Sequence, residues 1–264
     1  MALFRTRAVV VSRRALGEQD RLVEFYSRDH GKVRGVAKSA RRPRSRFVAA
    51  LEPLTLGELV FFDTGRSELV RVDHFDIVRP FVAVREDLGR LGRGAWMCEM
   101  LSRLSADRDP HPALFGLLVR SLRGLEGETA PERVALCFAA RALDLLGHRP
   151  RLDRCLECGR PFPFPGATLD TEAGGLVCGA CGAGEQALPI SGTAVTTLLR
   201  LRGMRWEDGL TFGVRREIER ELSDTLDGVL ARLVGASSRS LRFLGQTGRG
   251  LAGVAEPPPG PGRA

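Results

Sequence analysis

Lysine is nearly absent from this chain, and its scarcity excludes one large class of proteins. Only Lys32 and Lys38 are lysines among 264 residues, although arginine brings the basic total to 40. Neither lysine lies in the G-x-x-x-x-G-K-[ST] motif that holds nucleotide phosphates in P-loop proteins, so this motif is excluded. The preference for arginine is typical of a GC-rich genome, and we draw no functional conclusion from it.

Long apolar runs, a leader segment and catalytic clusters are missing as well. No stretch approaches the roughly 18 apolar residues of a membrane span. Residues 1–5 contain no apolar signal-peptide core, so we predict a cytoplasmic, nucleoid-associated protein that binds no membrane. The four histidines are scattered, and Glu18 with Asp20 is too small a carboxylate set for two-metal chemistry. The sequence therefore predicts a binding protein and no enzyme.

The net charge is concentrated at the N-terminal end. Residues 1–50 contain 13 basic and 4 acidic side chains, a balance of +9, whereas residues 51–264 contain 27 basic and 28 acidic ones. A basic surplus confined to one small module is typical of a domain that binds a polyanion. The phosphate backbone of a nucleic acid is the commonest such partner, and an anionic membrane is the alternative.

The N-terminal third has the pattern of a small β-barrel. Apolar and polar residues alternate in short runs that are separated by glycine-containing turns. This pattern predicts five strands, near residues 6–14, 20–28, 31–38, 56–63 and 67–79. The number of strands and the long gap between the third and the fourth predict an OB-fold, with a five-stranded SH3-like barrel as the alternative.

The third predicted strand and the loop after it carry a run of positive charge. Side chains alternate along a strand with a period of two, so Lys32, Arg34 and Lys38 share one face. The loop that follows is too basic to pack into a core and is predicted to be exposed. The candidate phosphate-binding residues are Lys32, Arg34, Lys38, Arg41, Arg42, Arg44 and Arg46. Tyr26, Phe47 and Phe62 are candidates for stacking on bases, although the barrel core is the preferred place for most of them.

The pattern after the fifth strand is helical. Apolar steps of three and four predict helices over Leu88–Leu104 and Leu114–Leu125. A third helix is predicted from a capping box at Thr129–Glu132 to Leu146, with Gly147 as its stop. The core of this bundle is predicted to contain Trp96, Cys98, Cys137 and Phe138.

The C-terminal part returns to helix and then loses any packing pattern. Ser191 is predicted to cap a helix that runs through Leu201. An apolar stripe from Val214 to Leu233 predicts a second, longer helix. Residues 245–264 are rich in glycine and proline, and we expect them to be disordered.

Four of the six cysteines form two C-x-x-C knuckles that are separated by 19 residues. Cys155, Cys158, Cys178 and Cys181 have the spacing of a four-thiolate zinc site. A redox C-x-x-C usually occurs singly, and paired knuckles beside glycines favour zinc over an iron–sulfur cluster. Four sulfurs close the coordination sphere, so we predict one structural Zn²⁺ that stabilises Arg154–Gln186, a segment with few apolar residues.

The order of these motifs resembles the RecO family of bacterial recombination mediators. The resemblance rests on Leu16–Leu22, His30–Lys38, Arg41–Pro53, Cys155–Cys181 and Ser240–Leu244. It implies a multidomain α+β protein with an N-terminal five-stranded OB-fold barrel and an α-helical domain that carries a four-cysteine zinc element. We place the barrel at residues 1–80, the helical domain at 81–244, the zinc insertion at about 150–187 and the tail at 245–264.

The resemblance also implies a function. RecO proteins bind single- and double-stranded DNA, anneal complementary strands and help to load recombinase onto single-stranded DNA. The implied partner is RecR, and the tail of single-strand-binding protein and RecF are further candidates. On the residues alone, two other classes stay open: an RNA-binding or translation-associated OB-fold zinc protein, and a metal-dependent nuclease.

Overall fold

The N-terminal part of the molecule is a closed five-stranded barrel. The computed structural model describes residues 1–47, 49–182, 184 and 187–235. The strands are β1 (Ala2–Leu16), β2 (Asp20–Ser27), β3 (Gly31–Ala37), β4 (Leu56–Asp63) and β5 (Leu69–Arg79). They close in the order β1-β2-β3-β5-β4. The five predicted strands are confirmed, and β1 begins four residues earlier than expected.

The long first strand closes the barrel because it pairs with two neighbours. Its first half lies antiparallel to β4, and its second half lies antiparallel to β2. β3 and β5 pair in parallel, from Arg34 opposite Leu69 to Ala37 opposite Val72. A five-stranded Greek-key barrel with this closure is an OB-fold and differs from an all-antiparallel SH3-like barrel.

Alternation along β1 sends neighbouring side chains into two different cores. Val10 points into the barrel, where it packs with aliphatic and aromatic side chains: Val23, Phe25, Val33, Phe47, Leu51, Leu59, Phe61, Val72 and Phe75. Val9 points outward and, together with Tyr26, Leu54 and Leu56, joins the core of the helical domain. The barrel and the helices therefore share a packed apolar boundary.

Seven helices follow the barrel in the described residues. They are α1 (Val82–Glu86), α2 (Leu88–Leu104), α3 (Pro112–Glu126), α4 (Pro131–Leu145), α5 (Gly192–Gly203), α6 (Trp206–Thr211) and α7 (Arg216–Leu233). Helix α4 lies at the centre, with ten of its fifteen residues buried. Trp96, Cys98, Cys137 and Phe138 are buried in this core, as predicted.

The helix ends confirm some of the sequence signals and correct one. The Ser191 hydroxyl caps α5 by accepting a hydrogen bond from the Ala194 amide at 3.1 Å. The predicted capping box at Thr129–Glu132 is wrong, because Ala130 is the N-cap and no side chain caps the N-terminal end of α4 with a hydrogen bond. Pro131 occupies the first turn, where its missing N–H needs no partner. The short helices α1 and α6 were not predicted, since five or six residues show no clear period.

The cysteine-containing insertion is a small three-stranded sheet. Its strands are β6 (Thr168–Asp170), β7 (Gly175–Val177) and β8 (Ala187–Pro189), in the order β7-β6-β8. Phe164, Leu169 and Leu176 are buried in the same core as the helices. The insertion therefore contributes more apolar packing than its sequence suggested. The Ser240–Leu244 motif and residues 245–264 lie outside the described residues, and the domain limits given above stay predictions.

Candidate nucleic-acid interface and metal centre

The loop between β3 and β4 holds its arginines outside the barrel while apolar residues anchor it. Ala40, Phe47 and Leu51 are buried in the barrel core. The four arginines of the loop are exposed, as predicted: Arg41, Arg42, Arg44 and Arg46. The loop therefore presents several positive charges on a backbone that is anchored to the barrel. Anchoring lowers the conformational entropy that the loop loses when a ligand binds.

Most of the contacts that hold these arginines are made to uncharged acceptors. The Arg41 guanidinium donates to the carbonyl oxygen of Gly17 at 2.8 Å, and the Arg42 Nε donates to Gln19 Oε1 at 3.0 Å. Arg46 lies 3.6 Å from a carboxylate oxygen of Asp73. Within the described residues, the Arg44 side chain has no hydrogen bond or ion pair. The positive charge of the loop is thus largely uncompensated.

The alternation predicted for β3 is confirmed, but its outer face is partly covered. Val33 and Ala37 point into the barrel, and Lys38 at the end of the strand is exposed. The Lys32 ammonium donates to the carbonyl oxygens of Ser102 at 2.6 Å and Ser105 at 2.9 Å. These contacts tie the barrel to the end of α2.

One carboxylate of the helical domain contacts both cations at the start of this face. The Lys32 Nζ lies 3.0 Å from Asp107 Oδ1, and the Arg34 guanidinium pairs with Oδ2 of the same side chain. Of the seven candidate phosphate-binding residues, the structure therefore places five on the open surface of the loop and strand end: Lys38, Arg41, Arg42, Arg44 and Arg46. It places Lys32 and Arg34 at the boundary between the two domains. The role of Asp107 was missed, because no sequence pattern links it to a strand more than seventy residues earlier.

The aromatic candidates lie mostly in the interior. Tyr26 and Phe47 are buried, which matches the interpretation preferred for them. Phe62 is partly exposed, and the guanidinium of Arg71 lies over its ring at 5.7 Å from the centroid. Of the three candidates, Phe62 alone therefore has a surface that a base could reach.

The four cysteines of the two knuckles come together as one cluster. Their sulfur atoms all lie within 4.8 Å of one another. Cys158 Sγ is 3.8 Å from Cys178 Sγ, which in turn is 3.6 Å from Cys181 Sγ. A tetrahedral ion with bonds of about 2.3 Å would separate its sulfur ligands by about 3.8 Å. The cluster therefore has the dimensions of a four-thiolate metal site.

The backbone around the cluster stabilises sulfur in its thiolate form. The amide of Cys178 donates to Cys155 Sγ at 3.3 Å. Backbone hydrogen bonds, above all from Cys158, lower the pKa of the Cys155 thiol to about 6. Gly159 and Gly182, which follow the two knuckles, have φ angles of 72° and 82° that let the chain turn around the sulfurs. Thiolates so close together need a cation, and these residues fit a bound divalent metal.

The remaining cysteines and the histidines have structural surroundings. Burial raises the pKa of the Cys98 thiol to about 12, which disfavours the reactive thiolate. His30 packs edge-on against the rings of Phe4 and Phe61, with centroid distances of 5.0 and 5.4 Å. His111 caps α3 by accepting from the Leu114 amide at 3.2 Å. In the described part of the chain, the four knuckle cysteines form the one cluster of at least three metal-binding side chains.

The described helices include none with the length and apolar character needed to cross a membrane.

Two protein-family models match the chain and together cover most of it. The model described as recombination protein O N terminal matches residues 1–81, and the one described as recombination protein O C terminal matches residues 85–242. The first match covers the barrel, and the second covers α2 to α7 with the cysteine cluster.

Individual relatives agree with the family models. A DNA repair protein RecO from Anaeromyxobacter dehalogenans (strain 2CP-C) is 36% identical over 244 residues, which is 90% of this chain and 94% of the relative. A DNA repair protein RecO from Geobacter sulfurreducens is 35% identical over 92% of this chain and 98% of its own length. That from Myxococcus xanthus is 34% identical over 91% and 96%. Matches of this extent, together with the barrel and the cysteine cluster, show that the chain belongs to the RecO family of DNA repair proteins.

Proposed function

We propose that this protein is a recombination mediator that binds DNA through its phosphates, anneals complementary strands and helps to load recombinase onto single-stranded DNA. It acts without catalysis of its own, in the cytoplasm at the nucleoid. RecR is the proposed partner, and the tail of single-strand-binding protein and RecF are further candidates. These partners rest on the family, whereas the mode of DNA binding rests on the geometry of the barrel.

The observation that carries the proposal is the anchored arginine loop. Arg41, Arg42 and Arg44 are exposed on a loop whose ends are buried in the barrel core. The acceptors of Arg41 and Arg42 within the protein are neutral, so a phosphate that replaces them adds an ionic attraction to the hydrogen bond. Phosphate contacts position a nucleic acid without reading its bases, so the binding is expected to have little sequence specificity.

Of the three aromatic candidates in the barrel, Phe62 alone is partly exposed, and this scarcity bears on the preference between single and double strands. Preference for single strands usually depends on bases that stack on aromatic side chains. Tyr26 and Phe47 are buried and cannot serve this purpose. We therefore propose that single and double strands bind with comparable affinity, and that neutralised phosphates let two complementary strands approach each other and pair.

The metal is proposed to be one structural Zn²⁺ per chain, held by Cys155, Cys158, Cys178 and Cys181. Paired knuckles beside glycines favour zinc over an iron–sulfur cluster. Cys155 and Cys178 are buried in the core that the insertion shares with the helices. The ion would therefore fasten the insertion to the helical domain, and four thiolates leave it no open position for catalysis.

Two measurements on the purified protein test the proposal. The first follows the annealing of two complementary labelled oligonucleotides in the absence of a nucleotide cofactor. The protein is expected to make annealing faster than it is spontaneously. The second measures affinity for single- and double-stranded DNA against salt concentration. Four or five phosphate contacts predict slopes of log K against log salt of about −2.8 to −3.5 for single strands and about −3.6 to −4.5 for duplex.

The same binding assay separates the alternatives. RNA and DNA of one sequence are offered in competition, and a strong preference for RNA would contradict the proposal. Incubation of labelled DNA with the protein and Mg²⁺ is expected to leave the strands intact. A cleavage activity that co-purifies with the protein would favour the nuclease instead. A failure of annealing with normal DNA binding would restrict the function to DNA recognition.

A further inference from the structure

A polar cleft lies where the barrel meets the helical domain. It has a volume of about 610 Å³ and is bounded by β3, by the turn between β4 and β5, and by the loop that follows α2. Its charged lining residues are Lys32, Arg34, Asp63, Arg66, Glu68, Asp107 and Arg108. The outer face of β3 and the β4–β5 turn are on the side where OB-folds bind oligonucleotides.

The loop after α2 is docked against the start of β3. Asp107 pairs with Lys32 in a parallel bridge, and the Arg108 amide donates to the Lys32 carbonyl oxygen at 3.0 Å. Because β5 pairs with β3 only from Arg34 onward, this loop occupies the adjoining edge of the strand. Gly31 permits the approach, since a Cβ atom there would lie 2.0 Å from the carbonyl oxygen of Asp109.

Asp107 presents its two oxygens to two different cations. Oδ1 lies 3.0 Å from Lys32 Nζ, and Oδ2 pairs with the Arg34 guanidinium. Burial raises the pKa of the Asp107 carboxyl, but the hydrogen bonds from Lys32 and Arg34 outweigh it and hold the pKa below its usual value. The side chain is therefore an anion at neutral pH. A phosphate diester, whose single negative charge is shared by two non-bridging oxygens, presents the same chemistry to this pair of cations.

The two cations differ in how firmly they are held. Lys32 also donates to two carbonyl oxygens at the end of α2, and its side chain is only 14% exposed. The Arg34 side chain is 39% exposed, and its ion pair with Asp107 is the only one that it forms within the described residues. Lys32 is thus fixed as part of the domain boundary, whereas Arg34 can exchange its partner.

We propose that this cleft is a phosphate subsite of the DNA-binding surface, in which the Asp107 carboxylate occupies the place of a phosphate until DNA displaces it. The proposal rests on the function proposed above and adds an internal competitor to it. Arg34 is an outward position on β3, and Lys38 is the exposed residue directly after the strand; an extended chain spans about 13 Å over these four residues. A strand held by the arginine loop would therefore reach the cleft by following β3.

The test is a salt titration of binding to a single-stranded oligonucleotide with the full-length Asp107→Asn variant. Asparagine keeps the size of the side chain but removes the competing charge. Binding at low salt is expected to become about three- to fivefold tighter, as the loss of one partly exposed ion pair allows. Whether the wild-type protein binds DNA tests the proposed function. The difference in affinity between the variant and the wild-type protein tests this inference.

Two further variants make the result specific to Arg34. In the Asp107→Asn background, Arg34→Gln is expected to abolish the gain in affinity and to make the salt slope shallower by about 0.7, the value of one phosphate contact. Glu207→Gln is the control, because Glu207 is an exposed carboxylate that pairs with Arg205 at 3.9 Å on α6, outside the cleft. It is expected to bind DNA as wild-type does.

Equal affinities of wild-type, Asp107→Asn and Glu207→Gln would overturn the inference while leaving DNA binding by the loop intact. If Asp107→Asn does not fold, as judged by circular dichroism, Arg34→Gln alone decides. A slope shallower by about 0.7 supports the subsite, and an unchanged slope overturns it.

Discussion

The arginine loop offers the most direct test of how this protein holds DNA. Replacing Arg41, Arg42 and Arg44 together by glutamine removes three exposed charges and leaves the buried loop anchors Ala40 and Phe47 in place. Each phosphate contact with single-stranded DNA contributes about 0.7 to the slope of log K against log salt. Losing three contacts should therefore make the slope shallower by about 2 and lower the affinity about 100-fold at 0.1 M salt.

A matched control separates local charge from net charge. Arg215, Arg216 and Arg220 are exposed at the start of α7, and their replacement by glutamine changes the net charge by the same three units. Affinity and slope are measured for both triple variants by fluorescence anisotropy with one labelled oligonucleotide at several salt concentrations. Wild-type behaviour is expected for the α7 variant only. An unchanged slope for the loop variant, or equal losses for both variants, would refute the assignment of the phosphate contacts to the loop.

Three further outcomes follow from the metal site, a close contact and a buried acid. Elemental analysis of the wild-type protein is expected to find one Zn²⁺ per chain, and Cys155→Ser is expected to lose it and to melt at a lower temperature, with the wild-type salt slope for DNA retained. An ion retained by the variant would contradict the assigned ligands. Gly31→Ala should lower the free energy of unfolding in urea more than Gly17→Ala does. Both residues have positive φ, but only at position 31 would the new Cβ atom lie 2.0 Å from a carbonyl oxygen. The strain in φ alone costs about 1–2 kcal/mol, and equal losses in the two variants would contradict the close approach at Gly31. Burial raises the pKa of Asp227 from 3.8 to about 6. The folded state therefore binds this proton more tightly than the unfolded state does, and the protein loses stability as the pH rises from about 4 to 6. Asp227→Asn should remove this loss from a plot of the free energy of unfolding against pH, and an unchanged plot would exclude Asp227 as its cause.

The strands could be predicted because the barrel has one apolar face along each of them. A period of two and the turns at Gly17 and Gly31 carried enough information to locate all five strands. The same alternation did not distinguish an OB-fold from an SH3-like barrel. That difference depends on which strands pair, and the parallel contact of β3 with β5 joins residues about 35 positions apart.

The candidate site shows the same limit. The period of two correctly placed Lys32 and Arg34 on the outer face of β3, but it could not show that the end of α2 covers part of that face. The arginine loop was easier to predict, because its composition alone opposes burial. The metal ligands were the easiest, since two short knuckles bring their sulfurs together locally and only one contact between distant segments is needed.

The apolar boundary between the barrel and the helices has a consequence for how the protein can be divided. Tyr26, Leu54 and Leu56 belong to the barrel chain but have at most 5% of their surface exposed, because helical side chains cover them. A fragment that ends after β5 would expose these apolar side chains to water and would tend to aggregate. The barrel, which we propose to bind DNA, is therefore not expected to be transferable to another protein without the helices that cover it.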